Sequence, residues 1–310
     1  MTVLVFSSSD KGGTGRSVTS CNMAYWLSMK GYKVAYLDFD FGSPTAGGTF
    51  EISRIDNGVR DGTGLHAYLL DENGTPARLS VRSETDRMEL SRSRHPSGRL
   101  VLFPGDLGGS EFTTLDERMI DRCAALFATC EQEFNVTFVD LSAGRSIALA
   151  LALSATRHPQ LSRAVCRWLI FHRWTRQHIA AARGLVHDEH GVLAVGESWG
   201  HDRAELLNSL RFVRTAVPEL NLTAGLRPAQ AAWLQEQHNT LTRAANRHGM
   251  GESGILGKIP VEPMLQCREQ VILDVDVAAH VANAETVAAF RLLTEKLMND
   301  AVWEQVEVRR

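Results

Sequence analysis

The sequence predicts an α/β protein: a single doubly wound domain with a mostly parallel sheet of seven or eight strands, flanked by helices. Three observations predict it. Short apolar runs alternate with helix-length amphipathic segments along most of the chain. A glycine-rich loop joins the first apolar run to the first helix, as a strand–loop–helix–strand unit requires. The 310 residues contain neither an internal repeat nor a linker long enough to separate a second domain. The expected domain is 1–300, followed by a tail at 301–310.

Val3-Leu-Val-Phe6 reads as a buried strand running into Ser7-Ser-Ser9. Val18 to Lys30 has helical periodicity, with Gly31 as its stop. Val34 to Leu37 is the second strand, closed by Asp38-Phe-Asp40. Residues 54–98 are rich in Arg, Ser, Gly, Asp and Glu and read as an irregular insertion, with a short helix at Leu65 to Leu70. Leu100 to Phe103 and Thr137 to Leu141 are strands on either side of an amphipathic helix, Leu115 to Glu133. A short apolar helix covers Ile147 to Ala155, a strand Val165 to Phe171, and a helix Thr175 to His187. Gly191 to Val195 is expected as a sixth strand, with helices near 203–215 and 228–247. Gly254 to Ile259 is expected as a seventh strand and Ala278 to Met298 as the last helix. Glu197, Ser198 and Trp199 are expected at the end of the sixth strand, with Trp199 able to stack on a base.

Composition narrows the function. Apolar content of 44% and a net charge of −3 exclude a mainly disordered chain. Transmembrane helices are not expected, since no apolar run approaches about 18 residues. The opening residues lack a basic leader and enter a structured motif at once, so a cytoplasmic location is expected. The five Cys show no CxxC spacing, which excludes a zinc knuckle, an iron–sulfur cradle and a redox pair. Lys accounts for only 5 of 33 basic residues, so a Lys inside a motif is informative.

Asp10-Lys-Gly-Gly-Thr-Gly-Arg-Ser17 lies between a strand and a helix, the context that a phosphate cradle needs. Gly12, Gly13 and Gly15 let the backbone turn its N–H groups toward oxygens, and Ser17 stands where a hydroxyl can ligate Mg²⁺. The stretch fails the plain G-x-x-x-x-G-K-[ST] pattern twice, at Asp10 and at Arg16. It resembles instead the variant loop K-G-G-x-G-K-[ST] of the ParA/MinD family of P-loop ATPases, with Arg16 in place of the second Lys.

That resemblance implies further roles. Lys11 would be the signature lysine, reaching across an ATP-sandwich dimer to the partner's phosphates. Lys11 through Val18 would bind the nucleotide: Gly12, Gly13, Thr14, Gly15, Arg16, Ser17 and Val18. Asp38-Phe-Asp-Phe-Gly42 is similar to the family's D-x-D-x-G, which gives Asp40 to the attacking water and Asp38 to the Mg²⁺ shell. Phe138-Val-Asp-Leu-Ser-Ala-Gly144 looks like the D-x-P-x-G segment, giving Asp140 to Mg²⁺ and Gly144 to the γ-phosphate. Gly254 to Pro263 resembles the loop that borders adenine, with Ile259, Pro260 and Glu262 as candidates. The resemblance covers residues 1–50, 99–195 and 250–298.

It implies ATP and Mg²⁺ as cofactors, a nucleotide-dependent homodimer, slow hydrolysis, and a role in positioning or partitioning a cargo through an unidentified protein partner. Arg16, planar and always charged, also supports a non-hydrolysing interaction module. Seven Arg and no acid occur from 145 to 183, a run that could bind DNA and supports a third reading, a DNA-binding scaffold. The tail has Trp303 among Val residues, yet Glu304 and Glu307 oppose anionic lipid, so direct membrane binding is not expected. Partner specificity is expected in 54–98 and 200–248.

Overall fold

The computed structural model describes residues 2–70, 74–93, 95–218 and 227–304. Eight strands form one sheet in the order β3-β4-β2-β5-β1-β6-β7-β8. They are β1 (Val3–Ser8), β2 (Lys33–Phe39), β3 (Leu79–Ser80), β4 (Arg99–Phe103), β5 (Val136–Leu141), β6 (Val165–Arg173), β7 (Leu210–Val217) and β8 (Ile255–Pro260). All neighbours are parallel except the two-residue β3, which runs antiparallel to β4. One edge is therefore a stub, and the other, β8, exposes Lys258 and ends in Pro260.

Alternation along β1 shows how the sheet is covered on both faces. Leu4 and Phe6 enter one apolar cluster, while Val3 and Val5 enter the other. Phe6 stacks on Trp168 of β6 with centroids 4.3 Å apart, which fixes the centre of the first layer. That layer is closed by α2 (Glu117–Glu133), α3 (Ile147–Ala155), α4 (Arg176–His187), α5 (Val192–Ser198) and α6 (Arg203–Asn208). The opposite layer holds α1 (Arg16–Met29) and α8 (Ala284–Met298); α7 (Pro228–Arg247) packs beside α4. Buried residues occur on every side of α1, which lies between the sheet and α8.

Three expectations are corrected. Gly191 to Val195 is not a strand: Val192–Ser198 is α5, capped by Gly191 in an extended conformation. A five-residue apolar run fits a buried helix as well as a strand. Residues 203–215 are not one helix: α6 stops at Asn208 and β7 begins at Leu210. Arg211 and Arg214 made β7 look polar, yet both are buried. The last helix does not run from 278, because Asp274–Ala278 is a separate turn of helix and His280 adopts φ 57° before α8 begins.

The 54–98 insertion contains short helices at Leu65–Leu69, Val81–Glu84 and Met88–Arg92. It is tied down by polar contacts. Asp106 accepts from the N–H of Gly64 (2.8 Å) and of Ala67 (3.0 Å), and Arg87 pairs with Glu51 and Asp276. Of the tail, Asp300–Val302 forms a short 3-10 turn and Trp303 packs inward; residues 305–310 lie outside the described residues.

Candidate nucleotide site

The site lies at the carboxyl ends of β1, β2 and β5, where the chain turns from one side of the sheet to the other. Register does the positioning. Asp140 of β5 is level with Asp38 of β2 on one side and with Ser7 of β1 on the other. The loop from Ser9 to Gly15 then rises over these ends and enters α1.

Gly13 (φ 68°) and Gly15 (φ 74°) occupy the left-handed region, which a side chain would strain. A Cβ on Gly12 or Gly13 would meet nothing within 4 Å, so the loop faces open space. That space is a cleft of about 630 Å³, lined by Gly12, Gly13, Arg16, Ser17 and Asp40 among others. Helix α1 starts behind Gly15 with neither a capping side chain nor an acidic residue in its first turn, so its positive end is open to an anion. Lys11 is exposed at the loop's mouth. Thr14 is buried, and its carbonyl accepts from Thr215 Oγ1 at 2.5 Å. The charge of Asp10 is met by Arg145 at 2.9 Å.

Arg16 is the centre of the site. It is 5% exposed. Its Nε donates to Asp140 Oδ1 at 2.6 Å, and its Nη2 donates to Asp40 Oδ2 at 2.8 Å and to Ser17 Oγ at 3.2 Å. The other oxygen of Asp140 accepts from the Tyr36 hydroxyl at 2.9 Å. Burial works against the Arg16 charge, but Asp140 and Asp40 more than offset it, so the guanidinium is held more firmly protonated than usual. Burial raises the Asp40 carboxyl, opposed by Arg16. Asp38 is pushed up to about 8, by burial first and by the charge of Asp140 second. Its carboxylate faces the backbone of the following loop, accepting from Ala46 N–H at 3.0 Å and from Asp40 N–H at 3.4 Å.

The other expected residues fall around this centre. Gly144 (φ 80°) lies across the loop and donates its N–H to the Ser9 carbonyl at 2.7 Å. Val18, Ile259, Pro260 and Glu262 line a second cleft of about 240 Å³ beside Gly13 to Gly15. Within it Glu262 is 2% exposed and braces the start of α8, accepting from Asn283 N–H (2.9 Å) and Thr286 Oγ1 (2.8 Å). Glu197, Ser198 and Trp199 are corrected: they lie at the end of α5, not of a strand, and line neither cleft. Sequence reasoning missed Tyr36 and Thr215. Both act across strands, and neither carries a local pattern.

Oxygen donors such as Ser17, Asp40 and Asp140 are the kind that Mg²⁺ takes. As arranged here they do not fit the ion: Ser17, Asp40 and Asp140 all accept from Arg16, and Asp38, expected in the Mg²⁺ shell, is turned to the backbone N–H groups of Ala46 and Asp40 instead.

A glycine loop opening a helix at the carboxyl edge of a parallel sheet defines the class: a P-loop nucleotide-binding protein. The chain belongs to the CobQ/CobB/MinD/ParA nucleotide binding domain family, whose model matches residues 5–216. Solved structures share its fold across nearly the whole chain. The MinC:MinD cell division complex from Aquifex aeolicus is 17% identical, with TM-score 0.56, covering 100% of this chain and 99% of that one. The septum site-determining protein MinD of Pyrococcus horikoshii, complexed with Mg-ADP, is 14% identical, with TM-score 0.54 and 97% of each chain covered. A plasmid partition protein from Borrelia burgdorferi bound to AMPPNP is 15% identical, with TM-score 0.55, covering 96% and 97%. No curated protein matches the sequence. Among the described residues no helix is long and apolar enough to cross a membrane.

Proposed function

We propose that this chain is an ATP-binding protein that dimerises around its nucleotide and positions or partitions a cargo in the cytoplasm. The observation that carries the reading is the loop itself: an uncapped helix N-terminus behind two left-handed glycines, with Lys11 exposed at its mouth. The loop amides and Arg16 hold phosphates, Lys11 acts on the partner's nucleotide, and the cleft beside Ile259 and Pro260 takes the base. The neighbours act in cell division and plasmid partition, and one is captured with MinC, which supports a switch that recruits a protein partner.

Lys11→Ala is expected to abolish ATP-dependent dimerisation in light scattering; a dimer of unchanged mass refutes the reading. One observation favours a second reading, a non-hydrolysing module. Asp40, the residue that would orient the attacking water, is tied to Arg16 at 2.8 Å. Phosphate release measured on the same samples separates the two, since slow turnover lies above the protein-free blank and a module does not.

The DNA-binding scaffold has less support. Of the seven arginines from 145 to 183, Arg145 and Arg183 pair with acids and Arg167 is buried. Arg157, Arg163 and Arg176 remain exposed.

A further inference from the structure

We propose that Arg16 is the resident cation of this site, standing where a divalent ion would sit, so that nucleotide phosphates bind this chain with Mg²⁺ dispensable. The inference rests on the nucleotide site proposed above.

Three observations carry it. First, one guanidinium touches a hydroxyl, the Asp40 carboxylate and the Asp140 carboxylate at once, at 3.2, 2.8 and 2.6 Å. Two of them, Ser17 and Asp140, are the oxygens that would otherwise be offered to a metal. Second, the other carboxyl oxygens of Asp140 and Asp38 are engaged elsewhere. Asp140 Oδ2 takes the Tyr36 hydroxyl, and Asp38 takes two backbone N–H groups. A divalent ion entering beside Asp140 would meet a buried positive charge and would have to expel it. Third, Arg16 has donors to spare. A guanidinium carries five N–H groups in a planar fork. Nε and Nη2 face the carboxylates, while Nη1 makes no bond among the described residues and Arg16 lines the phosphate cleft. The side chain can hold carboxylates with one edge and a phosphate oxygen with the other, which is the bridging that a metal performs. A Lys at 16, with a single point charge, could not span both.

The test is calorimetric titration of the full chain with ATP, once with excess Mg²⁺ and once with excess EDTA. The inference expects the two dissociation constants to agree within about threefold, a difference below one decade. Binding only with Mg²⁺ overturns it and leaves the nucleotide site standing. Binding in neither buffer overturns both. Titration of the nucleotide-free protein with Mn²⁺, followed by electron paramagnetic resonance, is expected to show no bound ion, and a bound ion that Asp140→Asn removes counts against Arg16. Arg16→Lys is expected to make ATP affinity depend on Mg²⁺ by about tenfold or more. If that variant folds and stays independent of the metal, Arg16 is not the cause. If it does not fold, the wild-type comparison decides alone.

Discussion

Tyr36 points its hydroxyl from the middle of β2 at Asp140 on the neighbouring strand, 2.9 Å away, and is itself fully buried. Its ring meets Phe50 edge-on at 5.5 Å and stacks near Phe138. Tyr36→Phe keeps that packing and deletes one donor to a buried carboxylate. The expected cost is about 1–3 kcal/mol, read from urea unfolding. The difference between Tyr36 and the loop explains what a sequence reveals. Gly12, Gly13, Gly15 and Ser17 are legible because their chemistry is local, a spacing within eight consecutive residues. Tyr36 acts on a residue 104 positions away, through a strand register that no local pattern states. Arg16 is intermediate. Its departure from the loop pattern is legible in the sequence, but its grip on Asp40 and Asp140 appears only when the strands are aligned.

Strand β7 was hidden by its own charges. Arg211 and Arg214 are 5% and 3% exposed, yet as letters they broke the apolar run that marks a buried strand. Arg211 is satisfied by carbonyls of Val302, Asn208 and Leu210, and Arg214 lies over the Trp174 ring at 4.3 Å. Beside them His172 of β6 is 1% exposed. Burial pushes its imidazole down to about 4; the Arg173 carbonyl works the other way, while Arg214 and His178 lower it further. The unfolded chain therefore takes up a proton between about 6.5 and 4 that the native protein refuses. Stability contributed by this residue is complete above 6.5 and is lost as the pH falls toward 4, by up to about 3 kcal/mol. His172→Phe keeps an aromatic ring beside Phe212 and Trp174 and removes the titration. Its urea midpoint should fall less between pH 6.5 and 4 than that of the wild type, and parallel curves would contradict this account.

At the scale of the molecule, the described end of the chain closes the bottom of the sheet. Trp303 covers two buried guanidiniums, Arg167 at 5.0 Å and Arg211 at 5.2 Å from its ring centroid. Arg167 also pairs with Asp300 at 2.5 Å and donates to the Leu297 carbonyl. Trp303→Ala uncovers both charges without supplying other partners. A loss of about 2–4 kcal/mol is expected, seen as a lower melting temperature, and an unchanged melt would show that the turn at 300–302 suffices. The sheet's edges have a different consequence. A two-residue antiparallel stub at one side, and at the other a six-residue strand that exposes Lys258 and ends in proline, disfavour extension of the sheet by a second copy. Two copies that meet away from these edges hold each other by side chains and by whatever lies between them. Such a union can be undone by changing one small molecule, whereas a shared ladder of amides would have to be unzipped.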